Sequence, residues 1–300
     1  MACSGDGTKQ DYIRHLRHSP RGAGSRPSQP AFGHLPMTPS HLGTALVTGA
    51  SSGIGAVYAD RLARRGHDLV LVARDRSRLL ALADRLSTET GRSIEVLAAD
   101  LGSPEGLQRV ERQLREDASI TLLVNNAGIG THTPLLESDV DQMSRMVALN
   151  VDALMRLSYA AVPGFVARGR GTVVNIASIV ALAPEILNGV YGGTKAFVMA
   201  FSQSLHHELA ARGVRVQAVL PGATATDFWA KGGRPVEHLP QQIVMRAEDL
   251  VDAALLGLDR GELITVPSLH DDRALREMEA ARLSLAPHLS SNTVAPRYAR

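Results

Sequence analysis

From residue 44 onward, short unbroken apolar runs alternate with longer stretches of helical periodicity, and this alternation leaves few folds open. The runs fall at 44–48, 68–73, 94–98, 121–124, 172–177, 215–219 and 263–266. Several, such as the Leu-Val-Leu-Val at 69–72, carry no polar residue, as expected of strands covered on both faces in a parallel sheet. Helical stretches fill the intervals at 53–65, 76–88, 104–116, 139–167, 189–212 and 247–259. Such alternation predicts a Rossmann-type, doubly wound parallel α/β sheet of about seven strands with right-handed crossovers. The sheet fits a single domain over 42–270, followed by a C-terminal helix from about 272 to 285 and an irregular tail within 271–300.

Composition narrows the partners. The 300 residues are 44% hydrophobic and 21% charged, enough to bury a full core. Aromatic residues make up only 4%, which argues against a stacking surface for single-stranded nucleic acid. The formal charge of +2 is uneven, with five Lys/Arg against two Asp/Glu in residues 1–41 and 27 against 28 beyond. A nearly neutral globular part predicts neither nucleic-acid nor acidic-membrane binding. No apolar run approaches the ~18–20 residues of a membrane span. Cys3 is the single cysteine, leaving no intrachain disulfide and no thiolate cluster, so a soluble, cytoplasmic protein is the expectation. Residues 1–41, rich in Gly, Ser, Pro, His and Arg, predict a disordered N-terminal extension. A transit peptide and an overextended start, with Met37 as the initiator, are the other readings of that segment.

Two local patterns carry chemistry. The first apolar run leads into Thr48-Gly49-Ala50-Ser51-Ser52-Gly53-Ile54-Gly55, where glycines permit a tight turn and close approach of backbone to a pyrophosphate. The helix that follows offers free N–H groups and a positive dipole end. Far downstream, Tyr191 and Lys195 stand four apart on one helical face, thirteen residues beyond Ser178. A phenol near pKa ~10 is a poor acid at neutral pH, and an adjacent ammonium is a direct way to lower it. His206 and His207 lack any partner at zinc spacing, so no metal site is expected.

Taken in order, the glycine turn, Asn125-Asn126-Ala127-Gly128, Ser178, Tyr191, Lys195 and Pro221-Gly222 resemble the short-chain dehydrogenase/reductase family over about residues 42–266. The resemblance implies that Tyr191 is the acid or base at the substrate oxygen, with Lys195 tuning it and reaching the nicotinamide ribose. It implies that Ser178 orients the substrate, and that Asn150 holds a water behind Lys195 (a cap or kink residue is the alternative for Asn150). For the cofactor it implies Gly49, Ser51, Ser52, Gly53, Ile54 and Gly55 at the phosphates. Asn125, Ala127 and Gly128 would lie near the ribose, with Asn125 also steadying the sheet. Asp100 would face the adenine or cap the next helix. Pro221, Gly222 and Thr226 would line the nicotinamide end, with Thr224 as the near rival.

An NAD-binding relative usually ends the second strand in a carboxylate, whereas this chain has Ala73-Arg74. A guanidinium suits a 2′-phosphate, so NADP (NADPH) is expected over NAD. Asp75 is read as a helix N-cap, although from there it would also repel a phosphate. Val180, Leu182, Pro184, Ile186 and Leu187 predict an apolar lining and hence an apolar carbonyl or alcohol substrate. The resemblance implies a mobile substrate lid in the segment from Thr226 through Trp229 to about Met245, where Trp229 either contacts substrate or simply packs. Apolar residues on the two long helices, including Met143, Met146, Leu154, Phe197 and Phe201, predict a homodimer or homotetramer. A cofactor-sensing regulatory protein of the same fold is the rival function, disfavoured by the intact Ser178, Tyr191, Lys195 and Asn150.

Overall fold

The structure, a computed structural model, describes residues 42–298, so the predicted extension at 1–41 lies outside the described residues. Seven strands form one parallel sheet: β1 (Thr44–Thr48), β2 (Asp68–Ala73), β3 (Ile94–Ala98), β4 (Ile120–Asn125), β5 (Gly171–Ile176), β6 (Val214–Val219) and β7 (Ile264–Thr265). Their order is β3-β2-β1-β4-β5-β6-β7. The chain leaves β3 at one edge and re-enters on the far side of β1 as β4, so the carboxyl ends of β1 and β4 flank the switch point where such sheets bind ligands.

Successive strand residues face opposite layers, which is why the runs are apolar throughout. Val47, Leu71 and Val124 pack with Tyr58, Leu62, Leu79, Leu86 and Leu250 on one face. Leu46, Val70 and Leu123 pack with Val110, Leu157, Phe165 and Leu205 on the other. The first layer is built by α1 (Gly53–Arg64), α2 (Arg76–Thr90) and, after β6 and the short helix α7 (Phe228–Lys231), α8 (Ala247–Asp259). The second is built by α3 (Pro104–Glu116), α5 (Leu154–Ala167) and α6 (Gly189–Leu209). A final helix, α9 (Arg273–Leu285), buries none of its residues.

Local signals explain the helix ends. Asp75 caps α2 by accepting from Arg78 N–H, and Gly91 ends that helix in the left-handed conformation. Ser103 caps α3 ahead of Pro104, so the capping role offered for Asp100 is corrected: Asp100 Oδ1 instead accepts from Gly102 N–H at 2.9 Å. The predicted helix over 139–167 is two helices, α4 (Val140–Val147) and α5, joined by a π-helical turn, Ala148–Ala153. Asn150 sits in that turn with its amide directed at Ile129 rather than along the helix. Such bulges mark places where a side chain is needed off the regular ladder. Among the described residues, no helix is long and apolar enough to cross a membrane.

Candidate active site

At the carboxyl end of β1 the backbone turns sharply, with Gly53 at φ +54°. A Cβ at Gly55 would sit 2.3 Å from the Gly49 carbonyl oxygen, so helix α1 can begin this close to the strand only on glycine. Ser51 and Ser52 are half-buried, and Ser52 occupies the N-cap of α1 without spending its hydroxyl on the helix. Ile54 anchors the turn to the core. Thr48 and Asn126, absent from the sequence-based site, lash this turn to the loop after β4. Thr48 Oγ1 accepts from the N–H groups of Asn126 and Ala127 at 2.9 and 3.0 Å. Asn126 Nδ2 donates to Thr48 O at 2.9 Å and Gly49 O at 3.3 Å. The signal for Thr48 was a polar residue closing a buried strand.

Asn125 does not share that role. It is 3% exposed, and its Nδ2 donates to Ser158 Oγ at 3.1 Å and Asn175 Oδ1 at 2.9 Å. Its side chain therefore ties the sheet to α5 instead of facing a cofactor. Ala127 packs its methyl on the core, and Gly128 lies beside Asn150 and Lys195. Thr226 rests its methyl against Gly53, whereas the buried Thr224 gives its hydroxyl to Gly222 O at 3.1 Å. Arg74 and Asp100 are both exposed. Arg74 makes no hydrogen bond or ion pair among the described residues, so its guanidinium is available at the end of β2. A glycine-rich turn, an open N-cap and that guanidinium together fit a dinucleotide carrying a 2′-phosphate.

Ser178 leaves β5 as the cap of a 3₁₀ turn, Ile179–Ala181. Its Oγ donates to Pro221 O at 3.4 Å, bringing the Pro221-Gly222 backbone alongside. The Ser178 hydroxyl also stands next to the Tyr191 phenol. Tyr191 lies in the first turn of α6, and Lys195 Nζ is 5.8 Å from its ring centroid while donating to Ile176 O at 2.8 Å. Asn150, 2% exposed, accepts from Ile129 N–H at 2.9 Å and donates to Ile129 O at 2.8 Å and Thr194 Oγ1 at 3.2 Å. Both Tyr191 and Lys195 are buried.

Burial reverses the expected tuning of the phenol. It pushes Tyr191 up to about 12, with the Ser178 hydrogen bond the opposing influence. The same burial brings Lys195 down to about 8, because an ammonium with a single carbonyl partner is poorly solvated there. Desolvation thus outweighs the neighbouring ammonium in the protein's own side chains. A positive charge bound in the cleft would act on the phenol in the opposite sense.

In front of Tyr191 is a small, mostly apolar pocket lined by Gly130, Thr131, His132, Leu187, Phe228, Trp229 and Gly232. Phe228 and Trp229 belong to a short helix, α7 (Phe228–Lys231). The Phe228 ring lies 5.9 Å from that of Tyr191, and Trp229 stands edge-on to Phe228. Of the five residues predicted as lining, only Leu187 reaches this pocket. Val180 is instead buried among Met143, Met146 and Tyr191, and Ile186 is exposed. The distal wall comes from the loop after β4, which no local pattern marks.

The short chain dehydrogenase family profile matches residues 43–235. The chain belongs to the short-chain dehydrogenase/reductase family. Among curated relatives, a very-long-chain 3-oxoacyl-CoA reductase of Anas platyrhynchos is 34% identical over 61% of this chain and 60% of its own length. The chain therefore spans less than two thirds of that reductase. Among solved structures, a short-chain dehydrogenase from Sphingobium yanoikuyae in complex with NADPH is 50% identical with a TM-score of 0.84, covering 86% of this chain and 100% of that one. A bulky-bulky ketone specific alcohol dehydrogenase from Comamonas testosteroni is 46% identical with a TM-score of 0.80, over 87% and 100%.

Proposed function

We propose that this protein is an NADP-dependent oxidoreductase that interconverts an apolar ketone and its secondary alcohol. The observation that carries the reading is the meeting of Ser178, Tyr191 and Lys195 at the carboxyl end of β5, with Tyr191 lining an apolar pocket. The nicotinamide, when bound, supplies or accepts the hydride. Ser178 and Tyr191 hydrogen-bond the substrate oxygen, and Tyr191 gives up its proton as that oxygen gains charge. Lys195 stands beside the phenol with its Nζ on Ile176 O, and Asn150, tied to both backbone groups of Ile129, lies with it next to Gly128.

Arg74 holds the 2′-phosphate. Asp75, its possible antagonist, is engaged by the Arg78 N–H at 3.0 Å and the Arg78 guanidinium at 3.4 Å. The NADPH bound to the Sphingobium neighbour supports the same cofactor here. The substrate is a ketone flanked by apolar groups, a class that includes 3-oxoacyl thioesters, steroids and bulky synthetic ketones. The aromatic wall of Phe228 and Trp229 and the Comamonas neighbour's ketone specificity support it. A homodimer or homotetramer formed through α5 and α6 completes the proposal.

The test is NADPH oxidation over a panel of such ketones, with Tyr191→Phe as the paired variant. The parent is expected to turn over at least one. The variant should lose about a hundredfold or more in kcat while retaining NADPH binding, because only the transferable proton is removed. Turnover by Tyr191→Phe within a few-fold of the parent would refute the assignment.

A further inference from the structure

The loop after β4 touches the Tyr191 helix with one part and the pocket's outer wall with another. Asn188 is 5% exposed, and the two halves of its amide face different elements. Its Oδ1 accepts from the N–H groups of Val190 at 2.9 Å and Tyr191 at 3.2 Å, capping α6. Its Nδ2 donates to Thr133 O at 2.6 Å and Ser138 Oγ at 3.2 Å. Ser138 Oγ lies within donating distance of Thr133 O, at 3.0 Å, and Pro134 O, at 2.8 Å, so the loop is also closed on itself. One residue before Thr133, His132 donates its Nδ1–H to Gly232 O at 3.0 Å, immediately beyond α7.

An N-cap requires only an acceptor, which Ser, Thr or Asp would supply as well. The donor half of Asn188 is therefore surplus to capping and serves the loop alone. Loop residues 131–138 run as a bridge from the cap of the Tyr191 helix to the carbonyl that follows Trp229.

We propose that Asn188, the loop it holds and His132 form a strut that sets the position of Phe228 and Trp229 over Tyr191. Asn188 and His132 are then positioning residues for the substrate and not for the cofactor, whose turn is held separately by Thr48 and Asn126. The proposal rests on the reading of Tyr191 as the reacting acid.

Two variants cut the strut at its two ends. Asn188→Ser keeps a cap acceptor but is too short to reach Thr133, and His132→Ala removes the bond to Gly232 at an exposed site. Each is expected to raise the substrate KM about three- to tenfold, the effect of losing one or two neutral hydrogen bonds. NADPH Kd, followed by nicotinamide fluorescence, should stay within about twofold. The double variant should be little worse than the worse single, because both changes break one connection. Trp229 is the only tryptophan, so acrylamide quenching of its emission reports the pocket wall without turnover, and quenching should increase in both variants.

Unchanged KM and unchanged quenching in both variants would overturn the strut, as would fully additive effects in the double variant. A parallel loss of NADPH affinity would overturn it too, since that signals general loosening. If Asn188→Ser fails to fold, His132→Ala decides by the same two readouts. A parent inactive on every ketone, with quenching still raised in the variants, would sink the functional reading and leave the strut. An active parent with unaffected variants would sink only the strut.

Discussion

At the scale of single residues, the unusual ionisation within the site belongs to two buried groups four positions apart. Lys195 titrates near 8 in the fold against 10.5 ordinarily. Between those values the unfolded chain binds more protons than the folded one, so the unfolding free energy rises with pH. The contribution is complete above the ordinary lysine value and lost as pH falls through about 8; its full size is roughly 3 kcal/mol. Tyr191 works in the other direction at higher pH. Held protonated to about 12 in the fold, it favours the unfolded chain once pH passes 10. Denaturant unfolding of the parent and Lys195→Met between pH 7.5 and 10 isolates the lysine. The parent's stability relative to the variant should grow as pH rises, whereas a constant offset would show that Lys195 is not held down by burial.

At the scale of elements, the junction of β2 and α2 is where the proposed choice of cofactor is made. Its backbone is fixed by the Asp75 cap, and Arg74 projects from it into solvent with no partner among the described residues. Replacing Ala73 with Asp and Arg74 with Ile supplies a carboxylate for a ribose hydroxyl and removes the guanidinium. A charge-assisted hydrogen bond is worth about 1.5–3 kcal/mol, so the ratio of NADPH to NADH affinity should fall tenfold to a hundredfold. Equal binding of NADH and NADPH by the parent would refute the role of Arg74. The π-helical turn between α4 and α5 teaches a related lesson about elements. Its periodicity reads as one helix, because an inserted residue barely disturbs an apolar stripe, while its purpose depends on Ile129 from another loop.

For the whole molecule, the exposed face of α5 and α6 carries the prediction of assembly. Tyr159, 68% exposed, stacks on Phe201 at 6.5 Å, and Phe201 on Phe197 at 5.5 Å. Met143, Met146 and Leu154, expected on the same face, are corrected to internal packing, since all three are buried within one chain. An aromatic ladder of this kind gains most when a second copy covers it. Phe201→Asp should therefore shift the protein towards monomer in light scattering at micromolar concentration, with activity assayed alongside. A monomeric parent, or an unchanged mass in the variant, would count against the helix interface.

The sequence by itself determined the sheet, the glycine turn, the Asp75 cap and the order of the motifs. Each rests on local physics: apolar runs covered on two faces, backbone angles open to glycine, side chains capping their own helix. The tertiary structure decided that the Asn125 amide is spent on Ser158 and Asn175, that Ser103 and not Asp100 caps α3, and that residues 130–132 join Phe228 and Trp229 in the pocket wall. It also decided the sign of the Tyr191 shift. Desolvation is summed over everything that surrounds a group, and those surroundings are brought together by contacts between residues far apart in the chain.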